Sequence, residues 1–154
     1  MSDDRLKGIV SKFQAAAAAR DRRTAEANQK AQEVARIAEK ARADWNGVRD
    51  RLIQQIEAIN DELKGTGFQL HHGEPRQTGG DRIETYYVGF EQIAYEGINT
   101  RLLQIFAMKS GGAEWRYGTA HTMPKGGGKW QLASVTNEEI REAIFSFLEA
   151  NLPT

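Results

Sequence analysis

Between Asp4 and Lys64 the chain carries no proline and only two glycines, Gly8 and Gly47. Alanine, glutamate, glutamine, lysine and arginine dominate that stretch, and these are the residues that lose least on entering a helix. The expectation is one long helix over residues 1–64. At a rise of about 1.5 Å per residue it would be about 90 Å long. A globular core does not shelter a helix of that length, so its apolar stripe needs other cover.

The stripe has a heptad period. One set of positions is Val10, Ala17, Thr24, Ala31, Ala38, Trp45, Leu52 and Ile59. The second set, three residues later each time, is Phe13, Arg20, Ala27, Val34, Ala41, Val48, Gln55 and Glu62. Twelve of these sixteen positions are apolar, sustained over more heptads than a coiled coil requires. The expected interface is Val10, Phe13, Ala17, Ala31, Val34, Ala38, Trp45, Val48 and Leu52, joined to a second copy in a homodimer or to a partner helix. Alanine buries little area, so Ala17–Ala41 would form a close but weak seam. The competing reading is a solvated single helix held by charge pairs along its surface. Rim charges leave the pairing direction open: Asp44 would meet Arg49 in a parallel dimer, but Arg23 would meet Asn28 and Lys30 would meet Ala35.

From Trp45 onward the stripe turns bulky, with Val48, Leu52, Ile53, Ile56, Ile59 and Leu63. Ile56 and Leu63 fall one position outside the heptad, as the drift of a straight helix requires. These last turns are expected to leave the coil and pack on a sheet. Gly47, close to Asp44 and Asn46, offers a kink or a helical hairpin as the alternative.

After Lys64 the composition changes. Gly65-Thr66-Gly67 ends the helix through glycine's tolerance of positive φ. Residues 65–154 read as a small α+β domain, an antiparallel meander of four or five strands closed by a C-terminal helix. The strands are expected near Gly67–His72, Arg82–Glu91, Asn99–Lys109, Glu114–Ala120 and Lys129–Val135, joined by links too short for parallel crossovers. Thr136-Asn137-Glu138-Glu139 has the capping-box pattern. Ile140, Ala143, Ile144, Phe147 and Leu148 then mark one helical face, with Pro153 beyond its end. The segment Arg101–Met108 is apolar on both faces, with Leu102, Phe106 and Met108 on one and Leu103, Ile105 and Ala107 on the other. Ile83 and Tyr87 against Tyr86, Val88 and Phe90 repeat the pattern. Both sheet faces therefore need cover. Helices supply one, and a partner subunit, another protein or a ligand is expected on the second. Long polar side chains and loops are the plainer alternative.

Little in the sequence points to chemistry. There are no cysteines, which removes thiolate metal sites, disulfides and cysteine nucleophiles. Acidic and basic residues number 21 each, so no net field draws nucleic acid or an anionic membrane. The uncharged run Phe13–Ala19 is too short to span a bilayer, and the N-terminus lacks a secretory core, which favours a cytoplasmic protein. His71 and His72, adjacent on a strand, point to opposite faces, and a site joining one of them to His121 with Glu74 or Asp81 has no ligand spacing behind it. Lys125-Gly126-Gly127-Gly128-Lys129 lacks the flanking residues of a nucleotide loop and reads as a flexible hairpin turn. Glu84, Glu91, Glu96 and Glu114 read as a solvated face, and the serines sit in no nucleophile motif. Trp115, Arg116, Tyr117 and Trp130 could stack bases, but residues 65–154 are not basic overall.

The resulting expectation is a self-associating scaffold or adaptor without catalytic residues, cofactor or metal. The alternative is a small-molecule-binding or enzymatic domain with a sheet-face pocket lined by Tyr86, Phe106, Trp115 or Trp130.

Overall fold

The structure, a computed structural model, describes residues 2–73, 79–90, 101–119 and 124–152. Helix α1 (Ser2–Leu63) is followed by β1 (Leu70–His72), β2 (Arg82–Phe90), β3 (Leu102–Met108), β4 (Gly112–Tyr117), β5 (Gly126–Gln131) and α2 (Asn137–Ala150). The strands form one antiparallel sheet in sequence order, the α+β meander expected. The expected turn at Tyr95–Gly97 and most of the Glu74–Asp81 link lie outside the described residues, as do Glu91, Glu96, Asn99, Ala120, His121 and Pro153.

The chain divides into two compact units, Met1–Arg36 and Ile37–Thr154. The division falls inside α1 rather than at Lys64, because the later turns of the helix supply core to the second unit. In the first unit no described side chain is buried. Its polar contacts are local to the helix: Thr24 Oγ1 donates to the Arg20 carbonyl at 3.1 Å, and Arg36 pairs with Glu33 at 2.5 Å.

In the second unit α1 presents Ala38, Ala41, Trp45, Val48, Leu52 and Ile56 as an unbroken buried stripe. Its spacing follows the heptad to Leu52 and then moves to Ile56 rather than Gln55, the drift of a straight helix. The helix passes through Gly47 without interruption, so neither a break nor a hairpin forms there. Gly47 faces solvent with open space where a side chain would be, and its propensity cost of about 1 kcal/mol is outweighed by the buried residues on either side.

The end of α1 is set by Gly65, at φ 87°, and by the Thr66 N–H and hydroxyl, which donate to the Leu63 carbonyl at 3.1 and 2.6 Å. Gly67 is also left-handed, at φ 84°, so β1 starts at Leu70 and not at Gly67. Asn60 then fixes that strand. Its amide donates to the Leu70 carbonyl at 2.9 Å and accepts from the Leu70 N–H at 2.8 Å, standing in for a neighbouring strand at the sheet edge.

Helix α2 opens on the expected capping box, with Glu139 N–H donating to Thr136 Oγ1 and Thr136 N–H to Glu139 Oε1, both at 3.1 Å. Ile140, Ala143, Ile144 and Phe147 are buried on its inner face. At its far end the buried Asn151 amide donates to the carbonyls of Gly118 (3.0 Å) and Phe147 (2.9 Å). Arg51 of α1 reaches the start of α2, donating to the Val135 carbonyl at 2.9 Å and to Asn137 Oδ1 at 3.2 Å.

The glycine run differs from expectation. Gly126, Gly127 and Gly128 are paired strand, opposite Tyr117, Arg116 and Trp115, and not a flexible turn. Trp115 lies across β5, so that a Cβ on Gly128 would meet its ring at 2.7 Å, and Tyr117 covers Gly126 in the same way. The aromatic rings take the space that side chains on β5 would need.

Candidate functional site

The nine expected interface residues fall into two groups. Val10, Phe13, Ala17, Ala31 and Val34 lie in the first unit, where Phe13 is 72 % and Val34 67 % exposed. Leu6, Ile9, Val10 and Ile37 are exposed as well, so bulky residues sit near both ends of an alanine-rich stretch. Ala38, Trp45, Val48 and Leu52 belong to the second unit and are covered by the chain's own core, Trp45 at 1 % and Leu52 at 0 % exposure. The expected seam is corrected at this point. Its open part ends before Ala38, because sheet and α2 residues already occupy the stripe beyond it. The rim pair Asp44–Arg49 is corrected too: Asp44 binds Lys40 at 2.7 Å and Arg49 binds Glu84 at 3.0 Å, both within the chain.

The chain matches no protein family, no curated protein and no solved structure.

The second sheet face is largely covered by the chain itself. Thr85 is fully buried, and Leu102 and Phe106 nearly so. The Arg82 guanidinium lies 4.4 Å from the Phe106 ring centroid and that of Arg116 lies 5.3 Å away, a pair of cation–π contacts with long aliphatic stems as cover. The cover expected from a partner or ligand comes, at Phe106, from arginines.

A β-bulge at Arg82/Glu84 decides where β2 points its charges. Arg82 pairs with Met108 while Glu84 pairs with Ala107, so one extra residue is taken up at Ile83. Arg82 and Glu84 would share a face in a regular strand; the bulge separates them. Ile83 packs against the main core instead of joining Tyr87. Glu84, expected on a solvated face, is turned under α1 and 91 % removed from solvent (9 % exposed). There its carboxylate accepts from Trp45 Nε1 and from Arg49 Nη1, the latter at 3.0 Å to both oxygens. Beside it Tyr86 is buried, its hydroxyl without a partner among the described residues, in edge contact with Trp45 at 6.3 Å. Burial raises the Tyr86 pKa well above the usual phenol range; Arg49 opposes this and Glu84 adds to it. The arrangement has a satisfied carboxylate and a phenol held neutral, which suits anchoring α1 to the sheet rather than proton transfer.

The remaining candidates do not come together. Tyr86 and Trp130 are core, Phe106 is on the opposite face, and Trp115 stacks on Tyr117 at 6.0 Å, so the four do not line one sheet-face pocket. Arg116 points away from Trp115 and Tyr117, because alternate residues of β4 face opposite sides, and no single base-stacking platform results. Glu114 pairs with Arg116 at 3.1 Å. His72 stacks on Tyr86 at 6.2 Å. Among the described residues no three metal-ligating side chains cluster, and no helix is long and apolar enough to cross a membrane.

Proposed function

We propose that the protein is a self-associating interaction protein whose helical residues 2–36 pair with those of a second copy. The observation that carries this reading is the exposure of Leu6, Ile9, Val10, Phe13 and Val34 on a helix where no described side chain is buried. Isolated helices draw little stability from propensity alone. A heptad-spaced apolar stripe gains by being covered, at about 1.5–3 kcal/mol for each large side chain removed from water. Alanines at Ala17, Ala27 and Ala31 let two backbones approach closely. Bulky residues toward the ends would then provide most of the affinity, with Arg20 and Thr24 as a polar break that weakens the centre.

Such pairing couples the helix to protein concentration. Thermal melts followed by circular dichroism at 222 nm, the ordinary helix wavelength, are expected to shift upward as the chain is concentrated. Melting independent of concentration, with full helicity retained at high dilution, would show that the helix stands alone.

A further inference from the structure

A cleft of about 560 Å³ opens where α1 crosses the bulged end of β2 and the end of β3, and the described residues that line it include the cations Arg42, Arg49, Arg82 and Lys109. Among the described residues Glu84 is the one carboxylate in that lining, and its oxygens are already engaged by Trp45 and by Arg49. Arg42 and Lys109 thus border one cleft with no carboxylate partner among the described residues, in a chain whose net charge is zero. Like charges gathered around a hollow repel one another, and the field they make is strongest inside it.

The fold holds these cations in place. Arg42 and Arg49 stand two helical turns apart on the same face of α1 as Trp45 and Asn46. Lys109 sits where its backbone N–H donates to the Asp81 carbonyl at 2.8 Å, closing the β2–β3 end. Guanidinium forks match tetrahedral oxyanions and the lysine adds a point charge. The cleft is within the size range of small-molecule sites, roughly 300–1,000 Å³, and has room for more than a bare anion.

We propose that this cleft binds a small molecule through a phosphoryl group, with Arg42 and Lys109 as its ligands and the Arg49–Glu84 pair as the rigid wall beside it. The proposal is independent of self-association, since binding is scored per chain. Calorimetric titration of the full chain with pyrophosphate, at constant ionic strength, is expected to give saturable one-site binding. Arg42→Gln with Lys109→Gln should weaken it about tenfold or more, while Lys125→Gln, a cation outside the cleft, leaves it unchanged. Should the double variant misfold, Arg42→Gln alone serves, because Arg42 is exposed on a helix. No saturable binding, or equal affinity in all variants, overturns the site. A single-stranded oligonucleotide that outcompetes pyrophosphate would overturn the small-molecule assignment.

Discussion

Helix α1 runs through two environments with one pattern. In Met1–Arg36 the heptad positions are occupied by Phe13, Ala17, Ala27, Ala31 and Val34 and all remain accessible; from Ala38 to Ile56 the same phase carries Trp45, Val48 and Leu52 into a closed core. Periodicity is shared by the two halves and therefore does not distinguish them. Side-chain volume does. Where the stripe is bulky and continuous it has found a sheet to lie on, and Glu84 reaches up to bind Trp45 and Arg49. Where it is mostly alanine, no described side chain of its unit is buried.

The largest effect should come from the closed half. Leu52→Ala, at a fully buried site, is expected to lower unfolding free energy by about 2–5 kcal/mol in urea titrations. Phe13→Ala, at the open half, should leave that value within about 0.5 kcal/mol when measured at high dilution. If the two substitutions cost the same there, the halves are not different in kind. At higher concentration Phe13→Ala is expected to weaken association by about 10- to 100-fold.

Trp45→Phe sharpens the comparison further. It keeps most of the buried volume and removes the indole N–H from Glu84, so about 1–3 kcal/mol of stability should be lost. An unchanged denaturation midpoint would mean that Arg49 alone satisfies the carboxylate. Tyr86→Phe is smaller and opposite in sign: deleting a buried hydroxyl without a partner among the described residues should be neutral or stabilising by up to about 1 kcal/mol. The pH dependence follows from the raised pKa. The unfolded phenol ionises near 10.0 while the folded one stays protonated, so this group's contribution is complete below that pH and declines above it. Tyr86→Phe should lessen the alkaline loss of stability. A further small effect lies within the closed half. Gly47→Ala, with open space around it, should add about 0.5–1 kcal/mol, which thermal denaturation would register.

Much of this fold was legible from patterns. The proline-free N-terminal stretch, the glycines after Leu63, the Thr136–Glu139 cap and the apolar alternation of β3 each state their structure locally, and the drift to Ile56 follows from helix geometry. What escaped depends on one inserted residue and on distant partners. No local signal marks Ile83 as a bulge, yet that bulge moves Glu84 from an expected wet face to a buried ion pair with residues on α1. The arginines over Phe106 were equally hidden, because cover by a long side chain leaves no period in the sequence. The glycine run misled for a different reason: its flatness is required by Trp115 and Tyr117 on the neighbouring strand, which only pairing reveals. The cationic cleft draws on three separate elements and has no motif at all.

If a second copy covers the open half of α1, the mass of the chain in solution reports it. Sedimentation equilibrium of the full chain beside the Phe13→Glu/Val34→Glu variant tests it most directly. A reversible oligomer is expected for the first at micromolar concentration, and a monomer with the same folded core for the second. Equal monomer masses for both, with residues 2–36 still helical, would contradict it.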